Sequence, residues 1–259
     1  MKYLIAIDSD GTLRHSDGTI SEATKKAISR LVEKGHCVVI CTARPRYYTK
    51  KIAEEVGASP YLISSNGSEI YDNSKEKIIF ASYILTSQCK KLYDYAKYHN
   101  LRIVFVTEDK EYVTKFTRNE NQILLDNSNI EELLSTNIKQ VMIIGTEKAK
   151  ILAFRKKVEE EFELDVLDSS DKQKDEIWFS VGSSNSSKGS AIIKLSEYLG
   201  ISLKNTIAIG NDYNDLSMFD VCEVSVAVDN SNDDIKTHAD IVIKSNDADG
   251  VAEYLDTIN

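Results

Sequence analysis

Residues 3–12 read YLIAIDSDGT. The apolar run from Tyr3 to Ile7 has no polar break, so it predicts a strand buried on both faces within a parallel sheet. Asp8 ends that strand and a polar loop follows. Beyond the loop, Ala27, Ile28, Leu31 and Val32 recur at helical spacing within Ser21 to Lys34, and Gly35 can close the helix in a left-handed conformation. A second apolar strand, Cys37 to Cys41, ends in Thr42. Strand, helix and strand in this order form a βαβ unit with a right-handed crossover, so the fold class is α/β.

The same winding resumes late in the chain. Ala191, Ile192, Leu195 and Leu199 mark a helix closed by Gly200, followed by the strand Thr206 to Ile209 and the polar cluster GNDYND. Short strands at Val224 to Val228 and Ile241 to Ile243 precede a final helix from Ala248 to Ile258. Between these halves the texture changes. Leu101 to Thr107, Tyr112 to Phe116, Gln140 to Ile144, Leu164 to Leu167 and Ile177 to Val181 read as strands. Amphipathic helices near Thr86 to Tyr98 and Glu147 to Glu161 are interleaved with them. The expectation is a Rossmann-like core formed by residues 1–81 and 185–259, with an inserted α+β domain over 82–184.

Composition narrows the function. The chain has 259 residues, 42 % apolar and 28 % charged, an ordinary balance for a folded globular protein. A net charge of −9 opposes binding to nucleic acid, whose affinity is built from Lys and Arg contacts. A small phosphate ester remains compatible if a cation and a few basic residues sit at the site. Neither the cysteines (Cys37, Cys41, Cys89, Cys222) nor the histidines (His15, His36, His99, His238) show metal-site spacing. The apolar stretches are too short for a secretory signal or a bilayer span, so a cytoplasmic protein, monomeric or weakly dimeric, is expected.

In an open parallel sheet, functional loops lie beyond the carboxyl ends of the strands. That rule gathers Asp8 with Asp10, Thr42 with Arg44, Lys188 at a helix start, and the cluster Asn211 to Asp215. A carboxylate such as Asp8 can attack phosphorus and split a difficult hydrolysis into two displacements. A second carboxyl, Asp10, can protonate the departing alcohol and then take a proton from water, if its pKa is raised. Gly11 and Thr12 allow a tight turn whose backbone N–H groups face phosphate oxygens. Thr42 and Lys188 add a hydroxyl and a positive charge. So much negative charge in one place calls for a cation, and oxygen ligands suit Mg²⁺. The bland alternatives are that Thr42 caps the following helix, that Lys188 is a surface residue, and that Asn66 in SSNGSEI is only a hairpin turn.

These segments together resemble the haloacid dehalogenase superfamily, and within it the Cof-type sugar-phosphate phosphatases with a large α/β cap. DSDGTL matches the first motif, CTAR the second, Lys188 in SSKGSA the third and GNDYND the fourth. The resemblance implies Asp8 as nucleophile, Asp10 as acid/base and backbone metal ligand, and Thr42 and Lys188 as phosphate holders. Ala43, Arg44, Asn66 and Asn214 join them at the phosphate, and Asn211, Asp212 and Asp215 join Asp8 and Asp10 at the metal. Two departures stand out. Ala43 replaces the usual glycine of the second motif. Asn211 replaces the first acidic residue of the fourth, which predicts weaker Mg²⁺ binding unless Asp212 compensates. The implied partner is a small phosphorylated metabolite, selected by the cap. A phosphomutase and a metabolite-binding protein with a weakened metal site are the alternatives.

Overall fold

In the computed structural model, which describes residues 2–169, 177–184 and 186–258, strand β1 (Leu4–Ile7) is buried at every position. Helix α1 (Glu22–Glu33) is capped by the Ser21 side chain, which accepts from Thr24 N–H, and it buries Ala27, Ile28 and Leu31. Gly35, at φ +88°, turns the chain back into β2 (Cys37–Cys41), which pairs parallel with β1. Alternation along β2 sends Cys37, Val39 and Cys41 into one apolar cluster and Val38 and Ile40 into the other. Helix α2 (Arg46–Glu55) leads to β3 (Tyr61–Ser64), parallel to β2. A hairpin then sends β4 (Glu69–Asp72) back antiparallel, and β5 (Lys77–Ala81) extends that edge.

Residues Ala81–Ser186 form a compact unit of their own. It contains α3 (Thr86–Tyr98), β6 (Arg102–Val106), β7 (Glu111–Val113), β8 (Gln122–Leu124), α4 (Ile130–Leu134), β9 (Gln140–Gly145), α5 (Lys148–Glu161), β10 (Leu164–Ser169) and β11 (Ile177–Ser183). The six strands run in the order β10-β11-β9-β6-β7-β8. β7 stops at Val113, short of the expected Phe116, because Lys115 takes a left-handed φ of +73°. β8 and α4 are too short to impose a period on the sequence, which is why neither was anticipated.

The other unit, Met1–Phe80 with Ser187–Asn259, is completed by α6 (Lys188–Leu199), β12 (Thr206–Gly210), α7 (Leu216–Phe219), β13 (Val224–Val228), α8 (Asp233–Thr237), β14 (Ile241–Ile243) and α9 (Gly250–Asp256). Its eight-stranded sheet has the order β14-β13-β12-β1-β2-β3-β4-β5, placing β1 between β2 and β12 with parallel pairing to each. The last helix begins at Gly250 rather than Ala248, since Asn246–Ala248 form a 3-10 turn and Asp249 sits at φ +55°. Asn185, expected to open the second core segment, lies outside the described residues. Among those described, no helix is long and apolar enough to cross a membrane.

Candidate active site

The loops after β1, β2 and β12 and the start of α6 bring the sequence candidates together within the first unit. Asp8 continues the β1 ladder through its N–H to Ile209 C=O at 2.9 Å, and its side chain is 8 % exposed. Lys188 is the first residue of α6, set by a capping box between Ser187 and Ser190. Its Nζ donates to Asp8 Oδ1 at 2.6 Å and to Asp215 Oδ1 at 2.6 Å. All three groups are buried, so Lys188 is no surface residue. Burial pushes the Asp8 carboxyl up to about 7, opposed by Lys188 and assisted by the neighbouring Asp215 charge. Burial alone would lower the Lys188 pKa, but the attraction of Asp215 and Asp8 outweighs it and holds the ammonium charged.

Asp215 is fully committed. Besides Lys188, its Oδ2 accepts from the backbone N–H groups of Asn211 at 2.8 Å and Asp212 at 3.0 Å. It organises the loop and seats the lysine, rather than offering a free oxygen to a metal. Asp212 is likewise occupied, accepting from Tyr213 N–H at 2.8 Å and capping the 3-10 turn that follows. The expected compensation by Asp212 for the neutral Asn211 therefore has no support in the geometry.

Asn211 itself is well placed. With its amide oriented to satisfy its neighbours, Nδ2 lies 3.0 Å from Asp10 C=O, 2.9 Å from Thr12 Oγ1 and 3.2 Å from Asp8 Oδ2. A backbone carbonyl and the carboxylate oxygen not held by Lys188 thus converge on one point. Turning the amide over would set its oxygen against those two acceptors, an arrangement favourable only with a cation among them. An oxygen set of Asp8 Oδ2, Asp10 C=O and Asn211 Oδ1 fits Mg²⁺, which keeps several waters. Among the described residues no group of three His, Cys, Asp or Glu side chains suits a metal, as expected where two of the three oxygens are neutral. Gly11, at φ +79°, is required here, since a Cβ would fall 2.6 Å from the other terminal atom of the Asn211 amide.

Asp10 departs from expectation. Arg44 grips its carboxylate with Nε–Oδ2 at 2.6 Å and Nη2–Oδ1 at 2.8 Å, while Ser9 Oγ donates to Oδ2 at 3.0 Å. Burial alone would raise the Asp10 pKa, but the Arg44 hydrogen bonds and charge hold it below the usual carboxylate range. The raised pKa that acid/base work requires is absent while this fork is closed. Arg44, expected at the phosphate, is spent on Asp10 and on the Tyr48 ring, 4.8 Å from its guanidinium carbon.

Thr42 Oγ1 lies 2.8 Å from Ser9 Oγ and accepts from Arg44 N–H at 3.2 Å. The residue preceding α2 is Pro45, so Thr42 does not cap that helix. Ala43 is not among the residues at positive φ, and alanine is unstrained there. Asn66 sits at the tip of the β3–β4 hairpin in a left-handed conformation, φ 55° and ψ 34°. Asn214 Nδ2 donates to its Oδ1 at 2.9 Å, and its own N–H donates to Thr42 C=O at 3.1 Å. Both readings of SSNGSEI hold at once, a hairpin turn and a tie to the site. Ser9, Ser217, which receives Gly189 N–H at 3.2 Å, and Asn230, which holds Gly11 C=O at 2.8 Å, were not foreseen. Only the spacing of Ser9 between the two aspartates pointed to any of them.

Comparison with known proteins agrees with this arrangement. Residues 5–255 match the family model of haloacid dehalogenase-like hydrolases. A 5-amino-6-(5-phospho-D-ribitylamino)uracil phosphatase of Bacillus subtilis, YcsE, is 30 % identical over 254 residues, covering 97 % of this chain and 94 % of the relative. A second with the same activity, YwtE, is 29 % identical, covering 98 % and 97 %. The solved structure of a haloacid dehalogenase-like hydrolase from B. subtilis superposes with a TM-score of 0.89 over all of both chains, at 24 % identity.

Proposed function

This chain belongs to the haloacid dehalogenase-like hydrolases, and from that premise we propose that it is a Mg²⁺-dependent phosphatase of small phosphate monoesters, sugar phosphates foremost, working through an aspartyl phosphate. The observation that carries the proposal is the division of labour at Asp8: Oδ1 is held by Lys188, while Oδ2 faces Asp10 C=O and Asn211. The Asp8 carboxylate attacks phosphorus, and the bond from phosphorus to the ester oxygen breaks. Asp10 gives the leaving alkoxide its proton, then takes one from the water that cleaves the aspartyl phosphate. Lys188 and Thr42 stabilise the phosphoryl oxygens during both transfers. Bound Mg²⁺, held by Asp8, the Asp10 carbonyl and Asn211, supplies charge neutralisation between two anions. Arg44 must release Asp10 before the proton moves. The inserted unit selects the substrate, and the enzyme works in the cytoplasm as a monomer or weak dimer.

The test is phosphate release from a panel of monoesters with and without Mg²⁺, including the ribitylaminouracil phosphate of the two B. subtilis relatives. Asp8→Asn is expected to be inactive, and equal release by wild type and Asp8→Asn would overturn the mechanism. A second reading, binding of a phosphometabolite without turnover, is favoured by the neutral Asn211. The two readings separate in Asn211→Asp. The phosphatase reading expects both proteins to be active, with Asn211→Asp binding Mg²⁺ at least about tenfold tighter, since a unit-charge pair at 4 Å is worth roughly 4 kcal/mol before desolvation. Activity in Asn211→Asp alone would favour the binding protein.

A further inference from the structure

The DSDGT turn is closed at its base by its own backbone, Leu13 N–H donating to Asp8 C=O at 3.3 Å and Arg14 N–H to Ser9 C=O at 2.9 Å. Two carbonyls at its tip are held instead by side chains from remote segments. The Asn211 amide nitrogen lies 3.0 Å from Asp10 C=O, and Asn230, just beyond β13, donates through Nδ2 to Gly11 C=O at 2.8 Å. Asn230 is oriented in turn by Asn246, whose N–H donates to Asn230 Oδ1 at 3.1 Å. An amide whose oxygen is claimed in this way presents its nitrogen to the turn. Asn246 is 5 % exposed, and its Nδ2 donates to Arg14 C=O at 2.8 Å. One residue near the C-terminus thus braces the tip of the turn, through Asn230, and also its base. The seat of Asn246 is tightly specified. Asp247 accepts from both the N–H and the hydroxyl of Ser16 at 2.7 Å, and a Cβ at Gly250 would fall 1.9 Å from Lys244 C=O.

The brace matters once a cation binds. Turning the Asn211 amide to offer its oxygen gives up the bond to Asp10 C=O, while Thr12 Oγ1 keeps its partner by donating to Asn211 Oδ1 at 2.9 Å. Asn230 is then the side chain that still steadies the tip. Gly11, at φ +79°, joins the peptide planes before and after it through a soft hinge. The direction of Asp10 C=O therefore depends on what fixes the plane that follows. Mg²⁺ demands near-octahedral oxygens, and a ligand set with two neutral oxygens has little charge with which to offset a misaimed carbonyl. We propose that Asn230, oriented by Asn246, is a positioning residue that aims Asp10 C=O at the cation, acting through the Gly11 peptide. The proposal rests on the Mg²⁺ site assigned above.

Asn230→Ala tests it. Asn230 is exposed, so the variant should fold, with a melting temperature in EDTA equal to that of wild type. Calorimetry with Mg²⁺ alone, no ester present, should show binding about fivefold weaker than wild type, as expected for the loss of one hydrogen bond. Asn230→Asp keeps the acceptor for Asn246 N–H and loses the donor. It should also bind Mg²⁺ more weakly, whereas a role for charge alone predicts tighter binding. Equal or tighter binding by either variant would overturn the proposal. In turnover, Asn230→Ala should need about fivefold more Mg²⁺ for half-saturation and recover the wild-type kcat at saturating Mg²⁺. A kcat that stays low there would place the role of Asn230 outside the metal site and overturn the proposal too. Wild type that binds no Mg²⁺ would remove the metal assignment and the relay together, while wild type that binds it no better than Asn230→Ala removes the relay alone. Equal phosphate release by wild type and Asp8→Asn would sink the aspartyl-phosphate mechanism and leave the Mg²⁺ comparison standing.

Discussion

Asp8 and Asp10 stand two residues apart on one loop, yet their surroundings push them in opposite directions. Asp8 is enclosed with Lys188 and Asp215, and burial raises its pKa to about 7. Asp10 is half exposed under the Arg44 fork and is held below the ordinary range. The lesson is that a strand end and a two-residue spacing set positions, while partners drawn from distant segments set protonation. A nucleophile wants a dry, oriented oxygen, and a residue that trades protons wants a partner that can let go.

Removing Lys188 would break the comparison most severely, because it leaves two buried carboxyls facing one another. Lys188→Met should lose about 3–5 kcal/mol in urea unfolding. Lys188→Met with Asp215→Asn should recover part of that loss, and a double variant no more stable than the single one would deny the coupling. The pH dependence has a definite sign. The raised Asp8 pKa favours the folded state below the unfolded value of 3.8, and that contribution is lost as pH rises through about 7. The raised Lys188 pKa contributes stability that is complete below 10.5 and is lost only above its folded value. In Lys188→Met, stability should therefore rise as pH falls through the neutral range.

A divalent cation sharpens the contrast. With Asp8 as the proposed nucleophile, kcat/KM should fall on the acid side with an apparent pKa no higher than about 7. Raising Mg²⁺ should move that limb down by about one unit or more, since a nearby cation favours the carboxylate. A limb that ignores Mg²⁺ would place the cation away from Asp8. The mildest test is Arg44→Gln. Freed from the fork, Asp10 should hold its proton to higher pH, extending the alkaline side of kcat by about one unit. The accompanying stability cost should be below about 1 kcal/mol because the pair is partly exposed. An unchanged alkaline limb would separate Arg44 from Asp10's chemistry.

Much of this was legible in order along the chain. Apolar runs closed by Asp8, Thr42 and the GNDYND loop reveal a parallel sheet whose carboxyl ends gather polar groups, because burial on both faces suppresses alternation. Lys188 was legible as a candidate cation. Its role in joining Asp8 to Asp215 was not, since that depends on side-chain reach across segments 180 residues apart. The Arg44 fork was hidden for the same reason. The motif suggested a phosphate ligand, whereas a nearby carboxylate holds the guanidinium in this structure. The Asn66–Asn214 bond spans 148 residues and depends on a left-handed hairpin tip that many Asn-Gly pairs can form without consequence.

The central place of β1 also bears on how the chain is made. Its outer partner, β12, begins at Thr206, long after β1 has left the ribosome. At ordinary translation speeds the apolar edge of β1 would stay open for on the order of ten seconds. Throughout that interval Asp8 has neither its lysine nor its loop, and an unpaired LIAI edge is a template for wrong partners. A chain stalled or truncated before Thr206 should be a chaperone client rather than a weak enzyme. Catalytic competence therefore arrives late in synthesis, together with the strand that closes that edge.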